Sequence, residues 1–123
     1  NFQLIDKLYR DWSPNWSVPE LQLTEIKQLF SEPRIITAAL GYYRALLAPS
    51  AKQLMNGTIN VPSLLLRGED DGCIYKGTWP LIKTASFKKG ISVKSVKAGH
   101  FLHIEKPDEV NPLLLAHLAL HQS

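Results

Sequence analysis

The 123-residue chain contains a single cysteine, Cys73, and no long apolar run. One cysteine cannot form an internal disulfide, and no Cys-x-x-Cys or Cys/His spacing is present, so neither a secreted disulfide scaffold nor a metal site is expected. The most apolar stretch, residues 113–120, is interrupted by His117 and is far shorter than the roughly 20 residues of a membrane span. We therefore expect a soluble protein of the reducing cytoplasm with no membrane partner.

Charged residues are also few, at 20% of the chain, and the net charge is +3. The basic residues are scattered, and only Lys88 and Lys89 form a tight pair, so the basic surface that nucleic-acid binding needs is not expected. An apolar content of 45% fits one globular unit. The chain begins at Asn1 without an initiator methionine, and we expect it to be a natural fragment, a proteolysis product or another partial chain.

The first fifty residues show helical periodicity and no strand signal. Three helices are predicted: one that ends at Ser13-Pro14, one that begins after Thr24 as its N-cap, and one that runs from about Arg34 to Pro49. These segments are rich in aromatic residues, which suggests helices that pack on another surface.

From residue 61 the pattern changes to strand, helix and strand. The continuous apolar run 61–66 predicts a strand buried on both faces, as in parallel sheets. A short helix is predicted from Thr78, and residues 91–96 predict a second strand. The last helix is expected to break after one turn and restart at Pro112 with Asn111 as its cap. Two strands do not make an independent parallel sheet, so the missing strands are expected from elsewhere.

Two polar loops follow the two predicted strands: the first, 68–72, holds three carboxylates, and the second, 98–107, holds two histidines. In open parallel α/β sheets, catalytic groups gather at the carboxyl ends of strands, so a carboxylate of the first loop and an imidazole of the second are expected to be neighbours. A carboxylate that accepts from one ring nitrogen fixes the tautomer and leaves the other nitrogen as a general base. The spacing therefore predicts an Asp-His pair.

The sequences of these two loops, with the strand before the first and the helix start after the second, resemble a known protein family. Residues 61–71 (VPSLLLRGEDD) and 99–110 (GHFLHIEKPDEV) resemble the C-terminal third of an α/β-hydrolase, in which a Gly-x-x-Asp loop carries the triad acid and a Gly-His loop carries the base. Residues 12–16 (WSPNW) and 39–44 (ALGYYR) resemble the cap of the branch that contains epoxide hydrolases and haloalkane dehalogenases.

The resemblance implies a role for three residues. Asp71 would be the triad acid, His100 the base, and Tyr43 a substrate-binding cap tyrosine, which in epoxide hydrolases polarises the epoxide oxygen. From the helical stripe alone, core packing of Tyr43 is an equal alternative.

The chain departs from the family pattern mainly because it lacks a recognisable nucleophile motif. No serine of the chain has the flanking glycines of a Gly-x-Ser-x-Gly elbow. Residues 68–72 match Gly-x-Asp-x-Gly, but the Gly77 and Pro80 that follow oppose the helix an elbow needs. The nucleophile, serine or aspartate, is therefore expected in sequence outside this chain.

The predicted fold class is α/β, as a C-terminal fragment of an α/β-hydrolase: a helical cap remnant at 1–50, and at 51–123 the last two parallel strands with flanking helices. The parent activity would be hydrolysis of small apolar esters, epoxides or related substrates, with no cofactor or metal, and this chain alone would be inactive. The expected partners are a small-molecule substrate and either a second copy or the missing N-terminal half. The alternative function is a catalytically inactive hydrolase segment that acts as an oligomerising or binding module.

Overall fold

A computed structural model describes residues 2–51 and 56–121 and shows a mixed α/β fold. Its helices and strands, in chain order, are α1 (Gln3–Trp12), α2 (Glu20–Leu29), α3 (Pro33–Ala45), β1 (Ser63–Gly68), β2 (Ile91–Val96), α4 (Leu102–Glu105) and α5 (Pro107–Leu120), with two short 3-10 helices, Lys76–Leu81 and Thr84–Ser86, between the strands. Within the described ranges, no helix combines the length and apolar character needed to cross a membrane.

The chain divides into two compact units. The first comprises Asn1–Asp6 and Val18–Gly57, and the second comprises Lys7–Ser17 and Thr58–Ser123. In the first unit, Asp6 pairs with Lys27 of α2 at 2.5 Å. The second unit holds both strands together with the last two turns of α1. The division into a cap at 1–50 and a core at 51–123 remains a prediction.

The two strands pair in parallel, as the sequence predicted, in a register that runs from Ser63 opposite Ile91 to Gly68 opposite Val96. β2 has the predicted bounds, whereas β1 starts and ends two residues later than predicted. Its later start follows from Pro62, which has no N–H to donate to a sheet ladder.

The core of the second unit lies between the sheet and α5. Val96, Ala98 and Val110 are at most 3% exposed, and Leu66 and Leu113 pack against them. Burial of a valine side chain stabilises a fold by about 1.5–3 kcal/mol. Because Val96 and Ala98 sit where β2 ends, this packing also anchors the chain that leads into the His100 loop.

Two helix starts differ from the predictions. Thr24 is not an N-cap, because α2 begins four residues earlier, at Glu20, and the Thr24 hydroxyl donates instead to the Glu20 carbonyl at 2.9 Å. Asn111 is not a cap either, since α5 runs unbroken from Pro107 through Pro112. Pro112 cannot donate to the Asp108 carbonyl and its ring crowds it, but Val110 before it and Leu113 after it pack in the core and hold the helix on both sides of that gap.

The connection between the strands also differs from the predicted single helix. It contains the two 3-10 helices, the first of which includes Pro80. Pro80 has no N–H to donate to an α-helical ladder and its ring crowds the preceding turn, which favours short 3-10 segments over one α-helix. The connection ends at Gly90, whose φ of +86° only glycine adopts readily, and this turn leads directly into β2.

Val110→Ala is expected to lower the free energy of unfolding by about 2 kcal/mol, because it removes two methyl groups from the centre of the core. Chemical denaturation followed by circular dichroism measures this change. The matched control is Val93→Ala, at a β2 position that is 45% exposed, which should change stability by well under half as much. Equal losses in the two variants would contradict the assignment of Val110 to the core.

Candidate active site

The loops that follow β1 and β2 meet at one edge of the sheet. Beyond the last strand pair, the Glu69 amide donates to the Val96 carbonyl at 2.9 Å, and the Asp70 amide donates to the Ala98 carbonyl at 3.0 Å. A Cβ on Gly68 would collide with the backbone of Ala98 and Gly99. The close approach of the loops therefore requires glycine at position 68.

Asp71 and His100, the two residues predicted as acid and base, form a direct hydrogen bond. His100 Nδ1 lies 3.0 Å from Asp71 Oδ2, and their side chains are 28% and 5% exposed. The described residues offer Nε2 of His100 no hydrogen-bond partner. A carboxylate on Nδ1 selects the tautomer that carries its hydrogen there, so Nε2 presents a lone pair. This arrangement is able to act as a general base.

The backbone of its own loop orients the Asp71 carboxylate. Oδ1 accepts hydrogen bonds from the amides of Cys73 at 2.8 Å and Ile74 at 2.9 Å. This Asx-type turn uses one carboxylate oxygen locally and directs the other to the imidazole. The same Asp71 side chain therefore closes a local turn and hydrogen-bonds to His100.

One carbonyl of α1 connects the acid loop to the base loop. The Trp12 oxygen accepts from the Gly72 amide at 3.1 Å and from the His100 amide at 2.9 Å. The Trp12 ring also stands edge-on to the imidazole, with ring centroids 5.0 Å apart. Sequence reasoning placed Trp12 in a cap, whereas here its backbone sets the separation of Asp71 and His100.

Ser13 and Glu105 hold the base loop from either side. Ser13 is fully buried, and its hydroxyl accepts the Phe101 amide at 3.2 Å. The Glu105 carboxylate accepts the Gly99 amide at 2.8 Å. Neither role was predicted: the hydrogen bond from Phe101 to Ser13 joins residues 88 positions apart, whereas the bond from Gly99 to Glu105 is local and was missed. The only sequence signal was the Trp-Ser-Pro run that stood out as a helix end.

An aromatic cluster packs beside the imidazole. Phe101 stacks on Tyr9 with centroids 4.2 Å apart, and its ring meets His100 edge-on at 5.3 Å. Aromatic pairs of this geometry contribute about 0.5–1.5 kcal/mol beyond their buried area. They limit the rotation of the His100 ring and make one side of the site apolar.

Cys73 and Tyr43 are both on the surface. The Cys73 side chain is exposed. Local desolvation and the Asp71 carboxylate raise the pKa of its thiol, which disfavours a reactive thiolate. Tyr43, on α3 of the first unit, is 58% exposed and contacts Tyr42 edge-on at 5.4 Å. This exposure argues against core packing of Tyr43. The substrate-binding role of Tyr43 remains a prediction.

The described residues contain no group of three or more His, Cys, Asp or Glu side chains placed to hold a metal ion. Comparison of the chain with protein-family models, with curated proteins and with solved structures finds no match. By its geometry, the site is a hydrogen-bonded Asp-His dyad at the carboxyl ends of two parallel strands.

Asp71→Asn is expected to reverse the His100 tautomer. The introduced carboxamide can keep its oxygen on the Cys73 and Ile74 amides only by turning its NH2 group toward Nδ1, which must then accept. The imidazole hydrogen then moves to Nε2. Long-range proton–nitrogen correlation spectra of the neutral imidazole identify the nitrogen that carries hydrogen.

The matched control is Asp70→Asn, because the Asp70 carboxylate accepts from the Asn15 side chain at 3.1 Å and has no contact with His100 among the described residues. This variant should keep hydrogen on Nδ1. Hydrogen on the same nitrogen in the native chain and in Asp71→Asn would contradict the orientation of the dyad.

Proposed function

We propose that this chain carries the acid and the base of an α/β-hydrolase-type catalytic triad that hydrolyses small apolar esters, epoxides or related substrates. Asp71 is the acid and His100 the base. The nucleophile, a serine or an aspartate, comes from outside these 123 residues, and Tyr43 contributes to substrate binding.

The contact between His100 Nδ1 and Asp71 Oδ2, at 3.0 Å, is the observation that carries the proposal. Its position adds support, since both groups follow parallel strands at the edge where such sheets place their active sites. The dyad also has its own supporting hydrogen bonds, from the amides of Cys73 and Ile74 to the acid and from the base-loop backbone to Trp12.

The dyad supports hydrolysis with either nucleophile. With serine, Nε2 of His100 removes the hydroxyl proton during attack on the carbonyl, returns it to the leaving group, and then activates the water that cleaves the acyl-enzyme. With aspartate, attack needs no base, and Nε2 activates only the water that cleaves the covalent ester. In both cases Asp71 stabilises the imidazolium that forms.

Activity is expected in the protein translated from the complete reading frame that contains this chain, and not in the 123-residue chain by itself. In the complete protein, His100→Ala should lower turnover of a short-chain chromogenic ester or an epoxide by about 10²- to 10⁴-fold, because the general base is lost. Steady-state rates with both substrates measure this effect.

The matched control is His117→Ala, since His117 lies on α5, contacts the ring of His121 and has no contact with the dyad among the described residues. It should retain the full rate. Equal rates for His100→Ala and the parent protein would reject the proposed base, and turnover by the isolated chain that His100→Ala abolishes would reject the external nucleophile.

A second candidate function is that of an oligomerising or binding module without catalysis. Within the described residues the sheet has only two strands, so the outer edges of β1 and β2 have no neighbouring strand. α5 also exposes three large apolar side chains, Leu115, Leu118 and Leu120, each at least 59% accessible. Exposed edges and apolar faces favour association with another chain.

If the module function holds, the isolated chain forms a dimer. Sedimentation velocity over a hundredfold concentration range is expected to show a monomer–dimer equilibrium, and Leu118→Gln is expected to shift it toward monomer by removing apolar contact area. Leu47→Gln, in a residue that is 87% exposed but lies outside α5, is the control. A monomer at every concentration would reject this candidate.

A further inference from the structure

A cleft of about 290 Å³ lies on the second unit, next to the end of β1. It is lined by Arg67, Gly68, Glu69, Lys76, Trp79 and Ser95. This volume is at the lower end of the range for small-molecule sites, about 300–1,000 Å³. None of the cleft's side chains belongs to the Asp71–His100 dyad.

The guanidinium of Arg67 is held in place within this cleft. Its Nε donates to the Ser95 hydroxyl at 2.8 Å, across the strand pair that the sheet register places side by side. Its central carbon lies 6.0 Å from the centre of the Trp79 ring, within the range of a cation–π contact. The two terminal guanidinium nitrogens have no hydrogen-bond partner in the described part of the chain and are therefore able to bind a ligand.

The charge of the cleft favours an anion with a single charge. Arg67 and Lys76 each carry a positive charge, and neither forms an ion pair with an acidic residue in ranges 2–51 and 56–121. Glu69 adds one negative charge to the lining, so one positive charge remains in excess. A bound monoanion neutralises this excess charge, whereas a phosphate dianion would leave the cleft with a net negative charge.

The shape of the donor set favours a carboxylate on a planar group. The terminal nitrogens of a guanidinium match the two oxygens of a carboxylate in a parallel, bidentate pair. The Trp79 ring beside it offers an apolar face on which a flat ring stacks. Lys76 supplies a second, more mobile positive charge.

We propose that the cleft binds small aromatic carboxylates, with the carboxylate on Arg67 and Lys76 and the aromatic ring against Trp79. The inference is independent of the proposed hydrolase function, because it uses none of the residues of the dyad. It assigns to the chain a binding site for an organic monoanion.

The test titrates the full 123-residue chain with sodium benzoate and follows its three tryptophan indole N–H signals in proton–nitrogen correlation spectra. The Trp79 signal is expected to shift and saturate, while those of Trp12 and Trp16 remain in place. Benzamide, which has the same shape without the charge, should bind about tenfold more weakly or worse, since the charged hydrogen bonds are lost.

Two variants test the donors. Arg67→Gln and Lys76→Met should each weaken benzoate binding, with about a tenfold loss or more for Arg67→Gln. The matched control is Lys94→Met, which removes an exposed lysine of β2 that does not line the cleft and should leave the affinity unchanged. Lys76→Met tests the site even if Arg67→Gln, which also loses the Ser95 bond, fails to fold.

Four results would overturn the proposal. These are no saturable Trp79 shift with benzoate, an equal response to benzamide, the same Trp79 shift with inorganic phosphate, or equal affinity losses in Lys76→Met and Lys94→Met. The phosphate result would show general anion attraction, and the lysine result would show an effect of net charge alone.

Discussion

The parallel pairing of β1 and β2 positions both the Asp71–His100 dyad and the Arg67–Ser95 pair. Because the strands run in the same direction and in register, from Ser63 opposite Ile91 to Gly68 opposite Val96, the loops that follow them leave from one edge. An antiparallel pair would put these loops at opposite ends of the sheet. The hydrogen bond between Asp71 and His100, and the pairing of Arg67 with Ser95, both depend on this register.

The two loops are kept in place by contacts with a distant part of the chain. The carbonyl of Trp12 accepts an amide from each loop, and the buried hydroxyl of Ser13 accepts the amide that follows His100. These hydrogen bonds each contribute about 0.5–1.5 kcal/mol and fix the backbone of both loops. The end of α1 therefore acts as a support for the dyad, although its sequence suggested only the end of a cap helix.

Local sequence patterns predicted the elements well where hydrophobic patterning dominates, and less well at their ends. β2 has the predicted bounds, 91–96, and the three N-terminal helices are all present. One predicted element, the helix from Thr78, is replaced by two 3-10 helices. The other errors lie where local chemistry competes with packing. Thr24 is a good cap residue that lies inside a helix, and Pro112 is a helix breaker that α5 tolerates because Val110 is buried against the sheet. Capping and proline preferences of about 1–3 kcal/mol are small enough for tertiary contacts to override.

The sequence by itself determined a mixed α/β fold, a parallel strand pair and a carboxylate–imidazole pair at its edge, because strand patterning and the loops after each strand are local signals. The choice of Asp71 and His100 within those loops came from the family resemblance. Only the tertiary structure decided the roles of Trp12, Ser13 and Glu105, the exposure of Tyr43 and Cys73, and the cleft around Arg67. Except for the bond from Gly99 to Glu105, which joins residues six positions apart, these features arise from contacts between residues far apart in the chain or from surface geometry. Neither has a periodic or local signature, since each depends on how complete elements pack together.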